Sequence, residues 1–296
     1  MTASKRVMAA ICLSLLVAQV GCSTTSATPP ESRATITEHW IDAGDIQIRA
    51  ALYVPEGVEL PVPAAVLVHG SGPSGRDDMG FYLRSALEMG LAAVAYDKRG
   101  VGESGGTYWA WNPADSEIHI HELSRDAAAV QRWLSDRPEV DATRVGYMGG
   151  SQAGWIMPQA ASDTGTASFI IAGAGTPLAA GPENAHEQVI ISGGTIAQAD
   201  EEISNYNGFM GYDPHPILEA LDIPMLWIFG TADWVIPTFP SIARIEAHRA
   251  AGHQNYDLMV IEGMDHNFQV QAADGVQQFW VHELASEWLE EIGIAP

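Results

Sequence analysis

Apolar residues recur along the chain from about residue 36 in short compact runs, and polar or glycine-rich stretches separate them. Runs of this kind are typical of parallel strands that are buried on both faces of a sheet. They lie at 64–68, 91–96, 144–148, 169–172, 225–229 and 256–261. An earlier run, at 46–54, alternates apolar and polar positions, which favours an edge or early strand.

Helical patterns fill the gaps between these runs. Leu123, Ala127, Val130 and Leu134 follow one another at helical spacing, and residues 277–292 form a second amphipathic pattern that predicts a closing helix. The regular alternation of strands and helices predicts an α/β fold with a mostly parallel sheet that is covered on both faces.

The segment 176–222 interrupts this alternation. It is rich in glycine, asparagine, proline and aromatic residues and has no clear strand pattern. Because ligands of parallel sheets bind beyond the carboxyl ends of the strands, we interpret the segment as a small lid insertion over the active-site end. Its glycines at 193–194 and the stretch 208–216 argue against a large rigid helical cap and favour an open, shallow pocket. No second domain boundary is visible within 36–296.

The amino terminus has the layout of an export signal. Lys5 and Arg6 precede an apolar stretch at 7–20, which is too short for a permanent transmembrane helix. We therefore predict a cleaved signal at 1–21 and a flexible tether at 22–35. The only other cysteine besides Cys22 lies inside this signal, so no internal disulfide is expected in the mature protein.

Small residues just before Cys22 are typical of a bacterial lipobox, although Gln19 stands where Leu, Val or Ile is usual. We predict lipidation of Cys22, and the alternative is a protein that is simply secreted. The expected location is accordingly the bacterial envelope, the periplasm or the medium, with a membrane contacted solely through a lipid at Cys22.

Charge narrows the range of partners. The chain has 14 Lys and Arg residues against 37 Asp and Glu residues, and its formal net charge is −23. A surface this acidic repels phosphate backbones and anionic lipid head groups, so no nucleic-acid partner is expected. The charge does not identify a substrate.

The strongest chemical motif is centred on Ser151. An apolar strand ends in Gly149 and Gly150, and a helix start follows the serine. This arrangement is typical of a nucleophile elbow, in which small flanking residues let strand and helix approach closely. The match to G-x-S-x-G is inexact, because Ala153 stands at the fifth position.

Two further loops supply an acid and a base in the chain order that this motif requires. Asp233 follows one predicted strand and His266 follows the next. We predict that His266 takes the Ser151 proton while Asp233 orients the imidazole. Asp265 and Glu262 are alternative acids, but a residue adjacent to the histidine cannot easily reach its ring nitrogen.

A tetrahedral oxyanion needs fixed N–H donors. One predicted donor is the backbone of Gln152, directly after the nucleophile. The other is the backbone of Ser71, or of Gly72, in the glycine-rich turn that begins at His69. His69 itself is expected to shape this turn rather than to act as a second base.

Aromatic and histidine residues outside these motifs suggest a pocket rather than a metal site. Several aromatic residues and a methionine are candidates for the substrate pocket, namely Trp109, Tyr206, Phe209 and Met210. His119 and His121 lack a third metal ligand at suitable spacing, so we expect no metal and no organic cofactor.

Together the motifs resemble the α/β-hydrolase superfamily over roughly residues 45–292. They are 69–73 (HGSGP), 97–104 (DKRGVGES), the Ser151 elbow, 230–233 (GTAD) and 265–266 (DH). Within the superfamily the chain is similar to bacterial dienelactone-hydrolase-like and serine-aminopeptidase-like esterases. A true dienelactone hydrolase uses a cysteine nucleophile, and Ser151 departs from that pattern.

The resemblance implies an enzyme that needs no cofactor. We expect hydrolysis of small-molecule carboxylic esters with short to medium acyl groups, or of thioesters, through an acyl-enzyme. A peptidase or amidase of the same fold is the first alternative. A non-catalytic envelope lipoprotein on a hydrolase scaffold is the second, since a fold does not dictate a function.

Overall fold

The computed structural model describes residues 33–295. The predicted signal, Cys22 and most of the predicted tether lie outside these residues. The first described strand is β1 (Ala34–Asp42), so residues 34 and 35 belong to the sheet rather than to the tether. It pairs antiparallel with β2 (Gln47–Pro55). Most side chains of β1 are exposed, which explains why its sequence has no strand pattern of its own.

The six compact apolar runs form six parallel strands. They are β3 (Val62–Val68), β4 (Ala92–Tyr96), β5 (Val140–Gly150), β6 (Ile170–Gly173), β7 (Met225–Gly230) and β8 (Tyr256–Ile261). The order across the sheet is β1-β2-β4-β3-β5-β6-β7-β8. Strands β3, β4, β6 and β7 are buried along their whole length. This arrangement confirms the predicted α/β fold.

Eight helices connect and cover the strands of the described chain. They are α1 (Gly80–Glu88), α2 (Ser116–Ser135), α3 (Ala153–Thr164), α4 (Ala180–Ile191), α5 (Ile196–Asn205), α6 (His215–Ala220), α7 (Thr238–Ala251) and α8 (Val281–Glu291). Helix α2 packs on α3, and both contact β5, whereas α1 packs on α8 and contacts β4. Within residues 33–295 no helix is long and apolar enough to cross a bilayer.

Three helices, α4 to α6, lie within the segment 176–222, which we call the cap. The glycines at 193–194, which argued against a large rigid helical cap, do not prevent these three short helices of 12, 10 and 6 residues. The glycines lie in the turns instead: Gly193, with φ of 89°, ends the turn after α4. Thr195 then caps α5 through a hydrogen bond from the Gln198 N–H to its hydroxyl.

The end of the chain differs from the predicted helix over 277–292. A hairpin of β9 (Gln269–Ala272) and β10 (Gly275–Gln278) takes up residues 277 and 278. Helix α8 begins at Val281, where Trp280 N–H donates to the Glu283 carboxylate in a capping interaction. The hairpin lies next in the chain after His266 and helps to define that loop.

Candidate active site

Ser151 lies in a tight turn between β5 and α3, and its backbone φ is 57°. A positive φ is strained for a residue with a side chain, and such strain is concentrated at functional sites. The turn is held because Ser151 N–H donates to the carbonyls of Gly173 (3.2 Å) and Ala174 (3.1 Å) at the end of β6. This is the conformation that the nucleophile-elbow motif requires.

Small residues surround Ser151 because the backbone of other segments of the same chain lies within contact distance. A Cβ added to Gly149 would overlap the carbonyl oxygen of Val68, and one added to Gly154 would lie 2.9 Å from the backbone nitrogen of Thr176. The inexact match to G-x-S-x-G thus has a physical basis. Glycine is required at position 154, where α3 meets the chain after β6, while position 153 accommodates an alanine.

Asp233 and His266 face each other from the loops that follow β7 and β8. Asp233 is 1% exposed, and its Oδ2 lies 2.9 Å from Nδ1 of His266. The other oxygen, Oδ1, accepts hydrogen bonds from the backbone N–H groups of Val235 (2.8 Å) and Ile236 (3.2 Å). The carboxylate is therefore fixed, and its bond to Nδ1 leaves Nε2 of His266 available to accept a proton.

The alternative acids do not reach His266. Asp265 turns back into its own loop, where Oδ1 accepts two backbone N–H groups at 2.9 Å each. Glu262 is exposed and has no hydrogen bond to the imidazole. The structure therefore pairs His266 with Asp233.

The His266 loop packs against the serine turn. A Cβ added to Gly173 would lie 2.6 Å from the ring of Phe268, so this ring covers Gly173 closely. Gly173 is also the residue whose carbonyl binds the Ser151 N–H. The loop that carries the base and the turn that carries the nucleophile thus meet at one backbone position.

The glycine-rich turn after β3 also lies beside Ser151. A Cβ added to Gly70 would lie 3.5 Å from Cβ and 3.9 Å from Oγ of the serine. Within residues 33–295, the backbone N–H groups of Ser71, Gly72 and Gln152 donate to no other protein group. Unpaired N–H groups beside a nucleophile are what a developing oxyanion needs.

Two side chains hold this turn through its carbonyl groups. The Lys98 ammonium is buried and donates to the carbonyls of Gly70 and Gly72, the latter at 2.9 Å. The Tyr108 hydroxyl donates to the Ser71 carbonyl at 2.9 Å. Burial lowers the pKa of Lys98 to about 8. Gly70, Ser71 and Gly72 are thus each held by a side chain from the loop after β4.

His69 has a structural position rather than a catalytic one. It is buried, and its Nε2–H donates to the carbonyl of Tyr96. Burial and the charge of Lys98 lower the pKa of His69 to about 3, so the ring is neutral at physiological pH. The interpretation of His69 as a residue that shapes the turn fits this environment.

A pocket opens beside Ser151. Its wall combines aromatic, acidic and aliphatic side chains, namely Ser71, Trp111, Gln152, Trp155, Thr176, Glu183, Glu187, Val235 and Ile236. The rings of Trp111 and Trp155 stack with centroids 4.9 Å apart and an angle of 24° between their planes. The cap contributes to this wall through α4, which carries the two glutamates.

The predicted pocket residues of the cap do not line this pocket. Phe209 is 63% and Met210 47% exposed, and Tyr206 donates its hydroxyl to the Phe209 carbonyl at 2.6 Å. The backbone of this loop is bound to the start of α4, where Gly181 N–H donates to the Met210 carbonyl at 2.7 Å. Trp109 lies in an adjoining cleft that shares Trp111 and Gln152 with the Ser151 pocket.

Sequence reasoning missed Glu183, Glu187 and Trp155 as pocket residues. The two glutamates lie one helical turn apart on α4, which leaves the carboxyl end of β6. That spacing places both on one face of a helix. The four-residue spacing is visible in the sequence. It indicates a shared face only where the segment is a helix, and no helix was predicted there.

A group of potential metal ligands lies outside this pocket. Ligand atoms of His215, Glu219 and His248 all lie within 4.8 Å of one another, where α6 meets α7. His215 and Glu219 belong to α6 of the cap, and His248 belongs to α7. His215 and Glu219 are partly or fully exposed, and His248 is buried.

Comparisons with known proteins agree with this fold. Residues 79–291 match the prolyl oligopeptidase family, and no curated protein matches the chain in sequence. An esterase of Pyrococcus furiosus has a similar structure, with a TM-score of 0.65, 17% identity, and coverage of 89% of this chain and 93% of that chain. A dienelactone hydrolase of Anabaena variabilis has a TM-score of 0.55 at 18% identity, and 88% of this chain and 98% of that chain are covered.

Proposed function

The chain belongs to the prolyl oligopeptidase family, and from this premise we propose that it cleaves small carboxylic esters through an acyl-enzyme formed on Ser151. The observation that carries the proposal is the hydrogen bond between Asp233 and His266, whose loop packs against the turn that holds Ser151 at positive φ. An oriented imidazole and a serine hydroxyl that borders a pocket are the two groups that nucleophilic acyl transfer needs.

In the proposed reaction, Ser151 Oγ attacks the ester carbonyl while His266 Nε2 takes the serine proton. The tetrahedral oxygen receives hydrogen bonds from the backbone N–H groups of Gln152 and Ser71. The C–O bond to the alcohol then breaks, and His266 returns its proton to the leaving oxygen. Water, activated by the same imidazole, attacks the acyl-serine and releases the carboxylic acid. Asp233 stabilises the imidazolium in both halves of the reaction.

The shape of the pocket supports a preference for short to medium acyl groups. Trp111, Val235 and Ile236 supply an apolar wall, and α4 of the cap limits the space beyond it. A methylene that meets the wall gains up to about 0.8 kcal/mol, whereas chain that extends past it stays in water.

A hydrolysis screen tests this proposal. Esters of one chromogenic alcohol with acyl chains from acetyl to lauroyl should give the highest kcat/KM for short chains, and Ser151→Ala should abolish the turnover. Turnover that is highest for lauroyl, or that survives in Ser151→Ala, would contradict the proposal.

Peptide hydrolysis is a second candidate, because the family match is to peptidases. The same triad cleaves amides when the leaving amine is protonated by the histidine. Parallel assays of amino-acid p-nitroanilides and of the matching esters separate the two functions. A kcat/KM for an anilide that equals the value for its ester would favour the peptidase.

For the amino terminus, we propose a lipid anchor at Cys22. A diacylglyceryl group with an added acyl chain gives stable membrane binding. The wild-type protein should fractionate with membranes, and Cys22→Ala should be released in active form. A mass spectrum of the mature protein with no lipid would contradict the anchor.

A further inference from the structure

Two carboxyl groups of the cap line the same pocket as the nucleophile. Glu183 is 8% exposed, and its Oε2 is fully buried without a hydrogen-bond partner among the described residues. Glu187 follows one helical turn later and is half-buried at the wall of the pocket. Buried carboxyl groups are ordinarily hydrogen-bonded, so an unpaired one that borders an active-site pocket calls for a partner supplied by a ligand.

The charges that act most strongly on Glu183 are negative. The residues that line the pocket include no lysine or arginine. Burial, with the negative charges of Glu187 and Asp233, raises the pKa of Glu183 to about 8. Without a ligand, Glu183 is thus largely protonated at about pH 6.5. A cation entering the pocket is attracted by Glu187 and Asp233, and beside Glu183 it lowers the pKa of that carboxyl and favours its ionised form.

Aromatic side chains complete the wall. Trp111 and Trp155 line the pocket beside the glutamates, and their rings stack on each other. The Trp155 Nε1–H already donates to the Leu178 carbonyl at 2.7 Å, which fixes that ring. Indole rings attract ammonium groups through their negative faces, and carboxylates bind them by charge-assisted hydrogen bonds.

We propose that Glu183 and Glu187 bind a positively charged group of the substrate, an ammonium carried by the acyl part or by the leaving alcohol, within the Ser151 pocket. This inference rests on the proposed acyl transfer at Ser151. It specifies the substrate class as amine-bearing esters and related acyl compounds.

The test uses pairs of esters that differ solely in charge. Alanine benzyl ester and benzyl isobutyrate place an ammonium or a methyl group on the acyl side. Acetylcholine and 3,3-dimethylbutyl acetate place a trimethylammonium or a tert-butyl group on the alcohol side. At about pH 6.5 the α-amino group is protonated. We expect kcat/KM for the charged member of at least one pair to exceed that of its neutral partner by about tenfold or more, the usual strength of a charged hydrogen bond.

Three variants locate the source of that preference. Glu183→Gln and Glu187→Gln keep the size of the side chain and should each lower the charged-to-neutral ratio several-fold. Glu202→Gln removes an equal charge from an exposed position of α5 and should leave the ratio unchanged. A ratio near one in both pairs, or an equal loss in all three variants, would overturn the proposal.

Binding to Ser151→Ala keeps this test separate from the proposed reaction. Calorimetric titration of that variant with each pair reports affinity without turnover. Tighter binding of a charged member, lost in the Ser151→Ala/Glu183→Gln double variant, would support the cation site even if the wild type hydrolysed none of the esters. Equal affinity for both members of each pair would refute the site while leaving ester hydrolysis intact.

Discussion

The carboxyl edge of the sheet and the cap meet at one pocket, yet they fix their residues in different ways. At the sheet edge, Ser151 and Asp233 are held by hydrogen bonds to backbone groups of neighbouring strands and loops. In the cap, Glu183 has no such partner, and Phe209 faces the solvent. The sheet edge thus carries groups whose geometry is determined by the protein, whereas the cap carries a buried carboxyl oxygen with no hydrogen-bond partner among the described residues.

This difference separates chemistry from selection. Groups that form and stabilise a transition state must be preorganised, and backbone hydrogen bonds at strand ends provide that rigidity. Groups that select a substrate bind a complementary group of that substrate. Substitutions at the sheet edge should therefore abolish turnover, whereas substitutions in the cap should change which substrate is preferred.

The largest effect should come from Ser151→Ala and His266→Ala. Because the two residues act as one unit, each change alone should lower kcat by about 10⁶-fold, and the double change should cost little more. Steady-state kinetics on a short-chain ester measures this. Losses that multiply in the double variant would show that the residues do not act together.

Asp233→Asn should cost about 10⁴-fold in kcat, because the amide favours the wrong tautomer of His266. Asp265→Asn is the matched control, since its carboxylate bonds solely within its own loop. That change should leave kcat within a few-fold of the wild type. A larger loss for Asp265→Asn than for Asp233→Asn would reverse the assignment of the acid.

Lys98→Met tests the turn beside the nucleophile. Loss of the ammonium frees the carbonyls of Gly70 and Gly72, and a misplaced oxyanion donor should lower kcat by about 10²-fold with little change in KM. Since burial lowers the pKa of Lys98 to about 8, the wild type should lose its ammonium, and part of its kcat, as the pH rises through that value. Lys98→Met should lack this alkaline limb, and a profile identical to that of the wild type would contradict the role.

The smallest effect should come from the outer surface of the cap. Phe209→Ala/Met210→Ala should leave the acyl-length preference unchanged, because both side chains face the solvent. Trp111→Ala removes part of the pocket wall and should flatten the preference by a few-fold per methylene. A change of preference in the double variant would show that the cap closes over the pocket differently during turnover.

The difference between the sheet edge and the cap also determines how much of the site could be predicted from the sequence. The parallel strands have strong apolar patterns, including β8, which lies at the sheet edge and is only partly buried. The strand order places their carboxyl ends together, so the Ser151, Asp233 and His266 loops could be recognised in advance. Helix α4 gave no such signal, because its buried face includes polar residues such as Glu183 and His186. Which side chains of the cap face the pocket depends on tertiary contacts, and the periodicity of a short helix does not reveal them.

Trapping the acyl-enzyme tests the central claim most directly. The protein is mixed with a slowly hydrolysed chromogenic ester, quenched in acid within the burst of alcohol release, digested and analysed by mass spectrometry. We predict one acyl group per chain, located on Ser151, and no adduct in Ser151→Ala. An adduct on another residue such as Ser71, or alcohol release with no covalent acyl group at any time, would contradict the account.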